Sequence, residues 1–396
     1  MKKRWLLALL GLLVVGVLCL SGCGKQPEAG APSGPGGKPS GEPYVIGAIF
    51  SVTGDTSSLG MPEKRTAEML QETINAGGGI NGRPVKIVIE DTKGDPAETL
   101  KVAKRLVEAD KVLAIVGPSR TGSTLAVVDY MESVEVPLVS CAAGVQIVEP
   151  VRKWVFKTPQ SDRMAVQKIV EYLQGQGITR IASLSDNSGF GKGGLAEIQA
   201  LMPNAGIQIV ATEEYGPTDK SMVTQLTKIK GTKAQAVVCW GTPPGPAIVA
   251  RNMRQLAMDI PLICSHGVAN ETFLRTAGDA ANGVVLPAGR LIVVDQISPD
   301  DPQAGVLEEY AQEYQAEFGQ AADTFGGHAW DAIKLVALAI GEAGDDRAGI
   351  RDALEQTKGF VGTGGVFNFS PEDHNGLTKD AFVMVTVADG KWKLIR

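Results

Sequence analysis

The chain is poor in the residues that most site chemistry needs. Only three histidines (His266, His328, His374) and five cysteines occur in 396 residues. No Cys-x-x-Cys is present and no histidine spacing suits zinc, so neither a metal nor any other cofactor is expected. Gly-x-Ser-x-Gly and His-Glu-x-x-His are both missing, and nothing else points to a nucleophile beside a base. An enzyme is therefore not expected; an exported enzyme would need such a pair in a cleft, and turnover of a bound molecule would reveal it. The chain also lacks a basic run and carries a formal charge of −6, which argues against nucleic acid as a partner. Beyond the first two dozen residues no stretch is apolar enough to span a membrane.

That opening stretch is distinctive. Met1-Lys2-Lys3-Arg4 is basic, Trp5 to Leu20 is almost wholly apolar, and Leu20-Ser21-Gly22-Cys23 follows. The order is that of a secretory signal, and its end resembles a bacterial lipobox. The resemblance implies cleavage after residue 22 and a lipid on the Cys23 sulfur; the alternative is an uncleaved membrane anchor. Either places the body outside the cytoplasm, attached to a membrane. Loss of residues 1–22 removes Lys2, Lys3 and Arg4 and moves the formal charge from −6 to −9. Residues 24–43 hold little but Gly, Pro, Ser, Ala and a few charges, a composition that builds no core and reads as a tether reaching roughly 25 Å.

From Tyr44 onward, short β-branched runs alternate with amphipathic stretches: Tyr44–Phe50, Val85–Asp91, Val112–Val116 and Val136–Ser140 as strands, with helices between. Such alternation predicts a parallel sheet with helices on both faces. The pattern restarts near Trp154 and predicts a second lobe of the same kind, so the fold class is α/β with two doubly wound lobes. Ligands of open α/β sheets sit beyond the carboxyl ends of the strands. Here those ends would bring Ser51–Leu59, Pro118–Ser123, Cys141–Gly144, Asp186–Gly191, Trp240–Pro244 and Ser265–Asn270 to one cleft.

Among these, Val112-Leu-Ala-Ile-Val-Gly-Pro-Ser-Arg-Thr-Gly-Ser-Thr124 is the most telling. Leu125, Val127, Val128 and Met131 recur at helical spacing, which starts a helix near Thr121. A helix start with free N–H groups, two hydroxyls and Arg120 suits a carboxylate or phosphate; alternatively Thr121 or Ser123 simply caps the helix. Gly189-Phe-Gly-Lys-Gly-Gly194 matches a dinucleotide fingerprint on paper. Ser185–Ser188 are expected to separate it from the strand and spoil the tight turn, and an exported protein has no ready supply of NAD. Cys239 and Cys264 end two apolar runs; they either pair or remain small buried thiols.

Several of these stretches together resemble one family. Ile46-Gly-Ala-Ile-Phe-Ser-Val-Thr-Gly54, Gly78-Gly-Ile-Asn-Gly-Arg-Pro-Val-Lys-Ile-Val-Ile-Glu-Asp91 with Asp95-Pro96, Val116-Gly-Pro-Ser-Arg-Thr121, Val155-Phe-Lys-Thr-Pro-Gln-Ser-Asp162 and Trp330-Asp-Ala-Ile333 are similar to the branched-chain amino-acid (Leu/Ile/Val) solute-binding proteins of ABC transporters. The resemblance implies the type I periplasmic binding protein fold, with three hinge crossovers near Lys157–Thr158, Pro287–Ala288 and Asn368–Phe369. Lobe one would be 44–157 plus 288–368, and lobe two 158–287 plus 369–396. It implies a small-molecule ligand and ABC permease subunits as partners, or a sensor if the chain is a receptor. It places the ligand carboxylate on Thr121, beside Ser119 and Arg120, and the ligand amine on a carbonyl at Ala142 or Ala143. Gly144 stands where a threonine is usual. Phe190, Trp240 and Pro243 match aromatic or strand-end positions of lobe two, and Phe325 and Leu59 match apolar walls. His266 falls where leucine-binding members carry a glutamate facing the ammonium. Imidazole does not replace that anion, so the ligand is expected to keep a carboxylate without having to be an α-amino acid; alternatively the register slips, or Asp186 substitutes.

Overall fold

The structure, a computed structural model, describes residues 38–396; the expected signal segment 1–22, Cys23 and residues 24–37 of the tether lie outside the described residues. The first lobe opens with β1 (Tyr44–Phe50), α1 (Ser57–Ala76), β2 (Val85–Asp91), α2 (Pro96–Glu108), β3 (Ala114–Val116), α3 (Thr121–Leu125), α4 (Val128–Val134), β4 (Leu138–Ser140) and β5 (Val155–Lys157). Its five strands are parallel in the order β2-β1-β3-β4-β5. Strand side chains alternate between faces. Ile46, Ala48 and Phe50 therefore join one core with Ala67 and Leu70 of α1, while Ile49 joins the opposite core with Leu106 of α2 and Met131 of α4.

The second lobe follows as α5 (Asp162–Gly175), β6 (Arg180–Asp186), α6 (Gly189–Leu201), β7 (Gln208–Tyr215), α7 (Val223–Lys230), β8 (Ala236–Trp240), α8 (Gly245–Gln255), β9 (Leu262–Cys264), α9 (Glu271–Ala277) and β10 (Val285–Ala288). The chain then returns to the first lobe with α10 (Ala304–Phe318), α11 (Thr324–Ala343), α12 (Arg347–Gln356) and the ribbon β11 (Phe360–Val361) with β12 (Val366–Phe367). It ends as the hairpin β13 (Val383–Ala388) and β14 (Lys391–Leu394). The second sheet has the order β14-β13-β10-β9-β8-β6-β7; β6 to β10 are parallel, and β13 and β14 are antiparallel additions at one edge. The fold is thus α/β with two doubly wound sheets. In each sheet the winding direction reverses beside the first strand, at β1/β3 and at β6/β8, and the crevice that forms there is where a ligand fits.

Several boundaries differ from the sequence reading. α1 starts at Ser57, inside the expected loop Ser51–Leu59, so Leu59 sits on its first turn. The expected helix over 121–131 is two short ones, α3 ending at Leu125 and α4 starting at Val128 with Val127 as its N-cap position. Pro287 and Ala288 belong to β10. Phe369, Leu377 and Ala381 pack into the first lobe's core and Phe382 into the second's. Cys239 and Cys264 face each other across β8 and β9 as free, buried thiols.

Asp95 illustrates local encoding. Its carboxylate accepts the Glu98 N–H at 2.8 Å and Pro96 takes the first helical position of α2, as capping chemistry requires. Asp95→Ala is expected to lower stability by about 1 kcal/mol, read as a shift in a urea unfolding midpoint.

Candidate functional site

A cavity of about 310 Å3 lies between the strand ends of the two sheets. Of the twelve residues singled out for ligand contact, nine line it: Leu59, Ser119, Arg120, Thr121, Ala142, Ala143, Phe190, His266 and Phe325. Gly144, Trp240 and Pro243 do not, and each has a physical reason.

Gly144 supports Thr121 from behind. Its N–H donates to Thr121 Oγ1 at 3.3 Å, and a Cβ there would lie 2.4 Å from Thr121 Cγ2. Thr121 fills the space a threonine at 144 would need. Because Thr121 Oγ1 accepts that bond, its own proton is left to donate into the cavity. Trp240 is wholly buried beneath α6, where a Cβ on Gly194 would strike its indole at 2.2 Å. It acts as a floor: Phe190 packs on it at 5.8 Å and His266 edge-on at 5.8 Å. Pro243 lines an outer groove with Asp55 and Arg275 instead.

The glycines of 189–194 have the same kind of explanation. β6 runs through Asp186, so only Asn187 and Ser188 separate strand from helix; the expected four-residue gap is not there. A Cβ on Gly191 would sit 1.8 Å from the Asp186 carbonyl oxygen, and one on Gly189 3.1 Å from Gly122 of the other lobe. The pattern lets α6 approach its own sheet and the opposite lobe. The lobes touch here: Gln146 Nε2 donates to the Gly189 carbonyl at 3.3 Å, and Thr324 Oγ1 to the Ala269 carbonyl at 3.2 Å.

The anion-holding stretch is less free than its sequence suggests. Arg120 Nη1 and Ser123 Oγ both donate to the Gly94 carbonyl at 3.1 Å. Gly94 has φ +71°, and a Cβ would meet Arg120 Cδ at 2.7 Å, so this turn residue holds the arginine in place. Neither Thr121 nor Ser123 caps α3; the N-cap position is Arg120, without a side-chain bond. Five residues make too short a helix for a large dipole, so the cationic side chain carries most of the positive field. Ser119 Oγ accepts the Ser51 N–H at 3.0 Å and is hydrogen-bonded to the buried Glu63 carboxyl.

Two imidazoles complete the lining. His266 sits in the turn after β9 and His328 on α11; both are buried, and both His266 nitrogens and His328 Nδ1 lack a protein partner. Burial pushes each down to about 3, with the opposing imidazole and Lys157 adding for His266 and Lys157 for His328. Both rings are neutral at pH 7. His328 is one of only three histidines, but nothing in its helix separates it from core; Gly94 was missed likewise, since its backbone matters only through the fold, while Ser188 and Thr242 lie in loops expected at the cleft but were not singled out. Asp186 does not line the cavity. It accepts from the Ser188 N–H and hydroxyl, and burial raises its pKa against those bonds and the Arg120 charge. Among the described residues the cavity therefore presents one permanent cation, two neutral imidazoles and no carboxylate.

Comparison with known proteins follows from this geometry. Residues 43–391 match the model of the family described as "Periplasmic binding protein". A Leu/Ile/Val-binding protein homolog 3 of Brucella melitensis is 25% identical over 351 residues, covering 88% of this chain and 92% of its own. The crystal structure of an extracellular ligand-binding receptor from Rhodopseudomonas palustris superposes with a TM-score of 0.85 at 26% identity, covering 90% of this chain and 100% of that one. The branched-chain amino acid transporter substrate binding protein LivJ of Streptococcus pneumoniae, solved in complex with isoleucine, gives 0.80 at 26% identity, over 89% of this chain and 99% of its own. These are binding proteins and receptors, not enzymes.

Proposed function

Since the chain belongs to the periplasmic binding protein family, we propose that it is the extracytoplasmic solute-binding component of an ABC importer. It captures a small carboxylate with an apolar body by closing two lobes on it, and it is held to the membrane through a lipid on Cys23. The observation that carries the ligand class is the charge of the cavity: Arg120 is its sole permanent charge among the described residues, and no carboxylate lines it. An α-ammonium would meet hydroxyls, carbonyl oxygens and neutral imidazoles there, and no anion among the described residues. Leu59, Phe190 and Phe325 supply apolar wall for an aliphatic or aromatic body.

Lobe one would hold the carboxylate on Arg120 and the Thr121 hydroxyl. The three crossovers would act as the hinge, and rotation of lobe two would bury the ligand. Excluding water strengthens each charged hydrogen bond. A permease that recognises only the shut shape would then read ligand as a population shift.

Calorimetry of purified protein with leucine, and with 4-methylpentanoate, which is leucine without its amino group, tests the ligand class. Binding of 4-methylpentanoate at least as tight as leucine is expected; sub-micromolar leucine with no heat from the deaminated acid would overturn it. Thr121→Ala is expected to weaken 4-methylpentanoate by about 1.5–3 kcal/mol, with Thr121→Ser restoring most of that; equal affinity in the alanine variant refutes the assigned role. The receptor reading takes its support from the name of the Rhodopseudomonas palustris match. Uptake of labelled ligand that disappears with the permease separates importer from receptor.

A further inference from the structure

Glu63 lies on α1 directly behind the cavity wall. It is fully buried, one carboxyl oxygen is hydrogen-bonded to Ser119 Oγ, and the other, Oε1, has no partner. Among the described residues no cation offsets it. The charged or titratable groups that face it are the Asp323 carboxyl at the start of α11 and the Cys141 thiol after β4, and each, if ionised, would disfavour a second negative charge.

Counting hydrogen bonds at Ser119 gives this arrangement its consequence. A serine hydroxyl has one proton to donate and two lone pairs to accept with. One lone pair takes the Ser51 N–H at 3.0 Å. The proton and the second lone pair must be divided between Glu63 and the cavity that Ser119 lines. If Glu63 is ionised, it can only accept, so the serine proton turns inward and a lone pair faces the cavity, where it repels an anion. If Glu63 carries a proton, its O–H fills the second lone pair and the serine proton turns outward to donate.

We propose that Glu63 is protonated whenever an anion occupies the cavity, that it thereby sets Ser119 as a donor to that anion, and that anion capture takes up one proton from solvent wherever Glu63 is ionised in the empty protein. Glu63 is a positioning residue: it acts on the ligand through Ser119 and does not touch it. The inference rests on the reading of the cavity as an anion site. Burial holds this carboxyl well above the usual carboxylate range, with the Ser119 bond opposing only in part, which favours the neutral form the arrangement at Ser119 calls for. The sign follows from linkage. The complex holds the proton more tightly than the empty protein does. Affinity is therefore full below the empty-protein pKa of Glu63 and falls above it, by up to about tenfold per pH unit.

The test uses protein labelled with 13C at glutamate carboxyls, the Glu63 signal being identified by its loss in Glu63→Gln. It is titrated from about pH 5 to about pH 10 with and without saturating 4-methylpentanoate. A Glu63 signal that stays at the shift of a neutral acid to higher pH in the complex than in the empty protein is expected; a carboxylate signal in the complex at neutral pH overturns the proposal. The glutamine variant, whose amide does not titrate and can donate to Ser119 at every pH, is expected to lose the fall in affinity above the empty-protein pKa; the same pH slope in both proteins also overturns it. If 4-methylpentanoate gives no binding heat at any pH, the anion-site reading has failed instead. The empty-protein titration still judges Glu63 by itself: ionisation below about pH 5 would remove the basis for coupling.

Discussion

Replacing Arg120 by methionine is expected to weaken capture of 4-methylpentanoate by about 2–5 kcal/mol, roughly thirty-fold or more. The argument is one of charge. Arg120 is the one permanent cation among the described residues that line the cavity, and the only hydrogen bond of its guanidinium to the described residues uses Nη1, toward the Gly94 carbonyl. The remaining N–H groups of the guanidinium are available for a carboxylate in a fixed fork. Burial lowers its pKa, and the Asp186 charge on the opposite lobe raises it, but a guanidinium stays charged under both. Methionine keeps the apolar stem and much of its packing, so a loss of affinity reports the charge rather than a collapsed loop. Lysine at this position should recover attraction but not the fork, leaving affinity between the two. Calorimetry reads the binding and thermal unfolding checks the fold. A methionine variant within threefold of wild type would show that the anion is held elsewhere.

Why some of this site was legible in the sequence and some was not has a physical basis. The stretch around Thr121 announced itself because a buried strand, a Gly-Pro stop and a cluster of hydroxyls with an arginine are all local. The winding of each sheet then fixed which loops meet, and nine of the twelve named residues line one cavity. The misses are matters of side-chain direction and of space. Gly144 and Thr121 exclude one another's bulk, Trp240 turns under α6 while its neighbour Thr242 reaches the cavity, and Ser119 spends its bonds on Ser51 and Glu63. None of these pairings is visible in spacing. His328 is the instructive case: it lies among the apolar residues of α11, where a histidine is ordinarily core, and only the tertiary fold sets it at the same cavity as His266. The strip between β12 and β13 is a related case. Phe369 and Ala381 look like the start of a terminal strand region, yet both fill the first lobe's core, so the strip between β12 and β13 serves lobe one for longer than its pattern shows.

The same two histidines should make the protein sensitive to acid. Each imidazole is buried and held down to about 3 in the folded state, against about 6.5 in an unfolded chain. A folded pKa below the unfolded one means that stability is full above pH 6.5 or so and is lost as pH falls, because only the unfolded chain takes the proton. By pH 4 the loss amounts to about 3 kcal/mol for each ring. Buried carboxyls work the other way over part of this range. Asp162, Asp323 and Asp331 are each raised to about 7 by burial, so they take up protons in the folded state first and favour it between about pH 7 and their unfolded values near 4. The wild-type profile is therefore a difference of opposing slopes, and the imidazoles are isolated only by comparison. Urea unfolding at pH 7 and at pH 4, on wild type and on His266→Gln/His328→Gln, makes that comparison. The variant is expected to lose several kcal/mol less than wild type on going to the lower pH, whatever its stability at pH 7. A ligand carboxylate near the rings should oppose the effect, since an adjacent anion favours the imidazolium, and so saturating 4-methylpentanoate should shrink the gap between the two proteins by protecting wild type. Parallel losses in the two proteins would mean that these rings are protonated, or reached by water, in the folded state, and that the cavity is not the charge-poor chamber on which selection of a carboxylate depends.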